Sequence, residues 1–359
     1  MDTYDKICTI DALYRAYRRA RRGKRRKMAR FEYQEQLGLS LIRQELIDET
    51  YTPGPLKLFY VYEPKKRDVL APTVKDKIVL HAVCDEYLYD AITKRFITDN
   101  AASQKGKGPV FALDRLKTQL YRYWCKYGSA GFVLRCDVRH FFASIPHDEI
   151  KRLLSGFVED EKMLRLLYKI IDCAEGLPLG LQTSQLFALL ILDGMDHQIK
   201  EKWRVKYYGR YMDDFWLLDP DRERLKTILA DIRDHLGKMG LELNEKTEIF
   251  PLRHGIPFLG FHTYLCDDGH IYRRVNRQKV EQTRRRLKKF AKMYKEGRIS
   301  AQKIAASYQG SRNYILQGDT GAIIAKLDAL FLDIFKEDKN LNGLDIKQIL
   351  RHADPHSGQ

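Results

Sequence analysis

Three aspartates stand at positions where acidic side chains could do chemistry together. Asp137 follows an apolar run within segment 131–138, and the pair Asp213-Asp214 separates two further strand-like segments. Carboxylates that converge repel one another unless cations neutralise them. Two divalent ions about 3.5–4 Å apart can stabilise both the attacking and the leaving oxygen of a phosphoryl transfer. The residues therefore suggest metal-dependent phosphoryl transfer, with Mg²⁺ as the ion that suits carboxylate ligands.

A purely local interpretation of the same acids stays open at this point. Aspartate is common in tight turns, so Asp213-Asp214 could simply favour a hairpin turn. Asp137 could likewise serve as a helix cap.

The elements that must position the acids can be predicted from apolar periodicity and from turn residues. The pattern predicts strands at 57–62, 67–70, 131–138, 205–211, 215–218, 246–250 and 258–264. It predicts helices at 31–47, 74–92, 113–124, 148–157, 162–171, 221–239 and 279–298, and an apolar helix that follows the loop 176–185 and runs to residue 199.

The composition indicates a folded protein that binds polyanions. The chain has 359 residues, 64 Lys+Arg against 48 Asp+Glu, and a net charge of +16. Lys and Arg side chains release counterions from a phosphate backbone, so nucleic acid is the expected partner. The segments 15–30 and 279–298 are densely basic; a merely solvated face remains the alternative for the first of them.

The sequence gives no sign of a membrane segment, a signal peptide or a cysteine-based metal site. Apolar runs are too short for a membrane helix, and the six cysteines include no C-x-x-C pair. A cytoplasmic protein without a membrane partner is expected.

Several short motifs occur in an order that resembles the reverse transcriptases and cover about residues 60–315. They are Asp137-Val138 followed by Phe141-Phe142, Leu179-Gly180, Tyr211-Met212-Asp213-Asp214, Leu243-Asn244-Glu245-Lys246-Thr247 and Phe258-Leu259-Gly260-Phe261. An ordered series of motifs indicates a family far more specifically than one acidic pair does.

The resemblance implies a mixed α/β (α+β) fold, the right-hand polymerase with fingers, a palm built on a ferredoxin-like antiparallel sheet, and a helical thumb. It implies an N-terminal basic segment and fingers at 1–125, a palm at 126–265 with a fingers insertion at 140–180, a thumb at 266–340 and a C-terminal tail at 341–359.

The resemblance also implies the catalytic residues of an RNA-directed DNA polymerase that uses dNTP substrates. Asp137, Asp213 and Asp214 would bind two Mg²⁺ ions, and the backbone of Val138 would touch one of them. Phe142 would exclude the 2′-hydroxyl of a ribonucleotide, although a simple core role for this side chain stays open.

Further residues are implied to bind the nucleotide or its pyrophosphate. Arg67, Lys105 and Lys107 lie in segments that resemble the triphosphate-binding fingers. This chain has Gln104 where relatives often carry an arginine, which leaves the triphosphate ligand open. Lys246 resembles a lysine that protonates the leaving pyrophosphate, with a surface lysine as the alternative.

The nucleic-acid strands would be held by a primer grip and by basic helices. The resemblance assigns the primer grip to Phe258, Leu259 and Gly260. Contacts with the nucleic-acid strands are expected from cations in the two basic segments, namely Arg18, Arg22, Arg25, Arg285, Lys288 and Lys292.

One departure narrows the resemblance to the reverse transcriptases of diversity-generating retroelements. Most reverse transcriptases have a glutamine at the position of Leu179, whereas here an aliphatic residue precedes Gly180 and Gln185 follows later in the same motif. An aliphatic wall of the nucleotide pocket distinguishes correct from incorrect base pairs by shape alone, which is typically worth about 1–3 kcal/mol. Lower fidelity is expected, and the resemblance implies misincorporation at template adenines.

The resemblance also implies binding partners, and two alternative functions stay open. The partners would be a template RNA, the RNA/cDNA hybrid and a basic, pentameric accessory variability protein in a bacterial or phage-borne system. One rival is a stand-alone bacterial reverse transcriptase of ordinary fidelity, of the retron or defence type. Another is a catalytically inert RNA-binding scaffold.

Overall fold

The structure is a computed structural model that describes residues 2–22, 31, 34–62 and 66–336. The chain divides into two compact units: Met1–Ala112 with Leu134–Ile249, and Leu113–Val133 with Phe250–Gln359. The second unit thus combines two stretches that are far apart in sequence. The four-part division expected from the resemblance stays a prediction, and its tail at 341–359 lies outside the described residues.

The helices and strands follow the predicted order closely. The helices are α1 (Thr3–Ile7), α2 (Ile10–Arg21), α3 (Glu35–Ile47), α4 (Val74–Val83), α5 (Tyr89–Thr93), α6 (Pro109–Tyr127), α7 (Phe141–Ser144), α8 (His147–Ser155), α9 (Glu161–Ile171), α10 (Gln182–Ile191), α11 (Asp193–His197), α12 (Arg222–Lys238), α13 (Arg277–Lys295), α14 (Ala301–Ile315) and α15 (Gly321–Asp333). The strands are β1 (Lys57–Val61), β2 (Arg67–Ala71), β3 (Phe132–Asp137), β4 (Tyr207–Tyr211), β5 (Asp214–Asp219), β6 (Glu248–Pro251), β7 (Ile256–Phe258), β8 (Phe261–Leu265) and β9 (Ile271–Val275). None of these helices is long and apolar enough to cross a membrane.

The N-terminal helix α2 shows why the basic segment is helical. The Thr9 hydroxyl caps the helix by accepting a hydrogen bond from the Ala12 amide at 3.2 Å. Apolar residues such as Leu13 and Tyr17 are buried, while Arg15, Arg18 and Arg19 are exposed. The remainder of the predicted basic segment, residues 23–30, lies outside the described residues.

An antiparallel hairpin and a long interrupted helix follow. Strands β1 and β2 pair from Lys57 with Ala71 to Val61 with Arg67. The helix predicted at 74–92 is confirmed, but it contains one π-helical turn, Cys84–Leu88, between α4 and α5. A second π-helical turn, Gln198–Lys202, ends the helix predicted to reach residue 199.

The sheet that carries the three aspartates has the strand order β4-β5-β3-β6. Side chains such as Leu134, Tyr208 and Phe215 are buried. Because β5 and β3 are neighbours, the acids predicted at their ends belong to adjacent strands.

The second unit contains an antiparallel sheet of three strands, β7-β8-β9, and the helices α13 to α15. Leu287, Tyr308 and Phe331 belong to the shared core of these helices. The rings of Tyr308 and Phe331 stack at 4.8 Å between centroids. These helices lie within the residues predicted to form the thumb, and their assignment to a thumb stays a prediction.

The prediction of one continuous strand at 258–264 is wrong. Phe258 pairs with Phe261, so the chain reverses at Leu259-Gly260 and forms the hairpin of β7 and β8. Both turn residues have left-handed backbone conformations, with φ values of 49° and 80°. Strand β9 was not predicted.

Candidate active site

The turn between β4 and β5 presents the acidic pair. Tyr211 pairs with Asp214, so the loop consists only of Met212 and Asp213, while Asp214 begins β5. Met212 has a φ of 58°. This left-handed conformation is uncommon for a side chain other than glycine and costs on the order of 1–3 kcal/mol. The turn therefore needs support from its surroundings.

Arg210 supplies that support from a fully buried position. Its Nη1 donates a hydrogen bond to the Met212 carbonyl at 3.0 Å. Its Nε and Nη2 bind the two carboxylate oxygens of Asp196 at 2.8 and 2.5 Å. The Tyr208 hydroxyl also donates to Asp196. Neither Arg210 nor Asp196 was predicted, although an arginine inside an apolar strand and an aspartate after an apolar helix are visible in the sequence.

Asp137 and Val138 lie where β3 ends, and their backbone is fixed by pairing. The Asn244 amide donates to the Asp137 carbonyl at 2.7 Å. Val138 is buried and forms an antiparallel bridge with Leu243. The segment predicted to carry Lys246 therefore contacts the segment that carries the first acid.

The electrostatics show that the three acids influence one another. Burial, together with the charges of Asp137 and Asp213, raises the pKa of Asp214 to about 6, although Arg135 opposes the shift. The Arg135 Nε lies 3.4 Å from the Asp214 Oδ1. Burial also raises the pKa of Asp213, and the nearby Asp137 adds to this effect, whereas Arg67 lowers it. The three predicted acids and Arg67 are thus near enough to influence one another electrostatically.

The chemistry of this donor set fits Mg²⁺. Among the described residues, no group of three or more His, Cys, Asp or Glu side chains is placed to hold a metal ion without further ligands. Mg²⁺ is usually bound by one or two protein carboxylates together with substrate phosphates and waters. Mutually repelling, partly buried carboxylates are the hard anionic ligands that such an ion neutralises.

Phe142 lies on the short helix α7 and is half-buried, next to the buried Phe141. The two rings meet edge to face at 5.6 Å. The Phe142 carbonyl accepts a hydrogen bond from the Leu177 amide at 2.7 Å, which ties α7 to the loop that carries Leu179. The role of Phe142 in sugar selection stays a prediction.

The Leu179-Gly180 loop lies against β2. The Leu179 carbonyl accepts a hydrogen bond from the Leu70 amide at 2.8 Å. Gly180 has a φ of +123°, and a Cβ there would collide with the Leu70 carbonyl. Only glycine permits this close approach of the two backbones.

Gly180 and Gln185 line a cavity of about 340 Å³ together with Lys77 and His81. The Ser103 hydroxyl donates to the Gln185 Oε1 at 2.9 Å. This bond connects the predicted fidelity motif to the small-residue loop that carries Gln104.

The two loop lysines have local contacts. The Lys105 Nζ lies 4.5 Å from the centre of the Tyr89 ring. The Lys107 Nζ donates to the carbonyls of Asn100 at 2.9 Å and Thr98 at 3.2 Å. Lys107 therefore stabilises its own loop, and its role as a triphosphate ligand stays a prediction.

The remaining candidates of the first unit are exposed. Lys246 lies in the turn before β6, where its amide donates to the Asn244 Oδ1 at 3.1 Å. Arg18 and Arg22 are exposed on and just after α2, while Arg25 lies outside the described residues.

The predicted primer grip and thumb cations belong to the second unit. Phe258 is buried, and the Tyr314 hydroxyl donates to the Leu259 carbonyl at 2.8 Å. The Gly260 carbonyl accepts a hydrogen bond from the Asn276 amide at 2.9 Å. The three cations predicted on α13 lie on its exposed side, namely Arg285, Lys288 and Lys292.

Comparisons with known proteins identify a family and a fold. The family model for the reverse transcriptase (RNA-dependent DNA polymerase) matches residues 75–263. The group II intron-encoded protein LtrA of Lactococcus lactis subsp. cremoris is 24% identical over 229 residues, which cover 58% of this chain and 37% of LtrA. The chain thus spans well under half the length of this curated relative.

Among solved structures, apo telomerase from Candida tropicalis superposes with a TM-score of 0.50 at 14% identity. The superposition covers 84% of this chain and 62% of the telomerase chain. At this identity the likeness concerns the fold alone. It confirms the predicted fold class, a right-hand polymerase fold of mixed helices and antiparallel sheets.

Proposed function

The chain belongs to the reverse transcriptase (RNA-dependent DNA polymerase) family, and we propose that it copies a template RNA into error-prone cDNA, as the enzymes of diversity-generating retroelements do. The RNA-directed DNA polymerase activity is supported by the three interacting aspartates on adjacent strands. The mutagenic character is supported by one observation, the aliphatic Leu179 beside Gly180 and Gln185.

The chemistry would take place at the end of β3 and the β4–β5 turn. Asp137, Asp213 and Asp214 would hold Mg²⁺, with the Val138 backbone beside it. The bound ions would stabilise the charge that develops during in-line nucleotidyl transfer from a dNTP. Arg135 keeps the Asp214 carboxylate oriented, and Lys246 would protonate the departing pyrophosphate.

The proposal for Leu179 rests on the absence of a side-chain hydrogen-bonding group at this position. The Leu179 carbonyl accepts a hydrogen bond from the Leu70 amide. Because this bond involves only backbone atoms, a substitution of the Leu179 side chain should preserve it. An aliphatic side chain can reject a wrong base pair only by shape. An amide can also reject it because the wrong pair would leave the amide without a hydrogen-bond partner. Reduced fidelity follows from this difference in chemistry.

Replacing Leu179 by Gln should therefore lower the error rate of cDNA synthesis. A correctly placed hydrogen bond that wrong pairs cannot satisfy should add on the order of 1 kcal/mol of discrimination, roughly a several-fold drop in errors. We expect the largest drop opposite template adenine. The measurement is sequencing of cDNA made on one RNA template by the wild type and the variant at matched extension.

The matched control is Leu179→Ile, which conserves volume and adds no amide, and it should keep the wild-type error spectrum. An unchanged adenine error rate in a Leu179→Gln variant that extends normally would contradict the role of Leu179. Gln185 and the Gln104 loop would then be the next positions to test.

Phe142 provides a separate test of the nucleotide pocket. Shrinking it to Ala should open space beside the sugar C2′ and raise ribonucleotide incorporation relative to deoxynucleotide by about tenfold or more. The measurement is the ratio of kcat/KM for a matched dNTP and rNTP. Phe142→Tyr retains the ring and should retain the preference; an unchanged ratio in the Ala variant would assign Phe142 to the core.

A second candidate function is favoured by the similarity to LtrA, namely a group II-like reverse transcriptase of ordinary fidelity. The error spectrum of the wild type separates the two candidates. Errors concentrated opposite adenine support the retroelement function, and a low, even spectrum supports the second candidate.

The proposed partners are a template RNA and, by family resemblance, a basic pentameric accessory variability protein. The exposed cations of α2 and α13 suit phosphate contacts, so RNA affinity should fall steeply as salt rises. Co-purification with a basic pentameric variability protein tests the accessory partner.

A further inference from the structure

The outer face of the β7–β8–β9 sheet carries a row of aromatic rings that the proposed polymerase chemistry does not use. Along β8, Phe261, Thr263 and Leu265 are buried, whereas His262 is exposed and Tyr264 half-exposed. On β9 the alternation repeats, with Tyr272 half-exposed and Arg274 exposed.

The cross-strand register brings these outward side chains side by side. Tyr264 pairs with Tyr272, and His262 pairs with Arg274. The Tyr264 and Tyr272 rings stack at 4.9 Å between centroids with only 13° between their planes. His270 continues the stack beyond Tyr272 at 6.4 Å and 17°.

His262 extends the row at its other end, where its ring lies 5.9 Å from that of Tyr264. The backbone of Gly255 lies directly against the Tyr264 ring, because a Cβ at Gly255 would collide with this ring. Four rings thus form a nearly continuous row, in which neighbouring rings stack on or tilt against one another. We call this row the platform.

A cation accompanies the platform. The Arg274 guanidinium lies 5.2 Å from the Tyr272 ring centre and 5.5 Å from that of Tyr264. Stacked guanidinium groups keep N–H donors available for phosphate oxygens. The outward positions of β8 and β9, which are both fully described, carry no acidic side chain. The turn between the strands contains Asp267 and Asp268, and the Asp268 carboxylate accepts a hydrogen bond from the His270 amide at 2.9 Å.

We propose that this face, defined by His262, Tyr264, His270, Tyr272 and Arg274, binds an unpaired segment of RNA. Aromatic side chains on an open sheet surface are suited to stack single-stranded bases, while a nearby cation contacts the backbone. Cross-strand aromatic pairs also stabilise sheets, but that role requires neither the exposed histidines nor Arg274. Only the choice of RNA over DNA rests on the proposed function.

The test removes the rings while it keeps the strands. In the full-length protein, Tyr264→Val with Tyr272→Val retains β-propensity and should weaken binding of a short, unstructured RNA oligonucleotide by about tenfold or more. Tyr264→Phe with Tyr272→Phe retains the stack and should bind like the wild type. Tyr121→Ala removes an exposed aromatic ring from α6 and should leave the affinity unchanged.

Binding is measured by fluorescence anisotropy with saturating template–primer duplex present, and RNA containing 4-thiouridine is crosslinked to locate its contacts. Crosslinks on β8 or β9 that disappear in the double Val variant support the proposal. Equal affinity of the wild type and the double Val variant would overturn it, as would crosslinks confined to other segments. Tighter binding of the matching DNA strand would overturn the assignment to RNA.

This binding test is independent of DNA synthesis. If the platform binds RNA but the protein extends no primer, the result contradicts the proposed function and supports the RNA-binding role of the platform. If extension is normal and the oligonucleotide affinity does not depend on the two tyrosines, the result contradicts only the RNA-binding role of the platform.

Discussion

Replacing Asp213 by Asn should lower the rate of DNA synthesis by orders of magnitude, with RNA affinity nearly unchanged. The substitution keeps the shape of the side chain and removes a hard anionic ligand for Mg²⁺. The measurement is primer extension on an RNA template across a range of Mg²⁺ concentrations, combined with RNA binding in the same buffer.

The stability of this variant provides an internal check. Because burial raises the pKa of Asp213 in the folded chain, its ionised form destabilises the fold at neutral pH when no cation is bound. The Asn variant should therefore unfold at the same or a higher denaturant concentration in the absence of Mg²⁺. Asp231→Asn, on the exposed side of α12, is the matched control and should extend normally. Wild-type extension by Asp213→Asn would contradict the metal assignment.

Replacing Arg210 by Met should destabilise the fold by about 3–5 kcal/mol, because Asp196 would keep a buried charge without its partner. Denaturant unfolding measures this change. Lys226→Met is the matched control, since Lys226 pairs with Glu223 at 2.8 Å in the same unit and both side chains are exposed. Its effect should be about 1 kcal/mol or less.

A double variant separates stability from positioning. Arg210→Met with Asp196→Asn removes both buried charges and keeps an acceptor for Tyr208, so most of the stability should return. The Met212 carbonyl would still lack its donor, and the shifted turn should lower kcat by about 10- to 100-fold with little change in KM. A double variant with wild-type kcat would show that Arg210 serves stability only.

The acidic turn was predictable because its signals are local. Two apolar segments with strand-forming residues flank Met212-Asp213, and the observed hairpin needs only that pattern and a short polar tip. What the pattern could not show is the left-handed Met212 or its support. Those depend on Asp196, which reaches the turn only through Arg210 after the helices have packed.

The hairpin at Leu259-Gly260 shows the opposite case. A leucine flanked by apolar residues predicts a continued strand, and leucine is unusual at a left-handed turn position. The conformation is stabilised by Tyr314, whose hydroxyl binds the Leu259 carbonyl across 55 residues of sequence. Similarly, β9 was missed because it contains Arg273, which is buried and donates to the carbonyls of Gln317 and Leu113.

The two-part origin of the second unit has a consequence for biosynthesis. Within it, Arg273 binds the Leu113 carbonyl across 160 residues, and the Trp124 indole donates to the Asp267 carbonyl across 143. At about 5–20 residues per second, a ribosome needs roughly 8–30 s to make the partners of α6 after α6 itself. During that interval Leu113 and Trp124 of α6 lack these final partners, so the nascent chain should bind chaperones most strongly at this stage of translation.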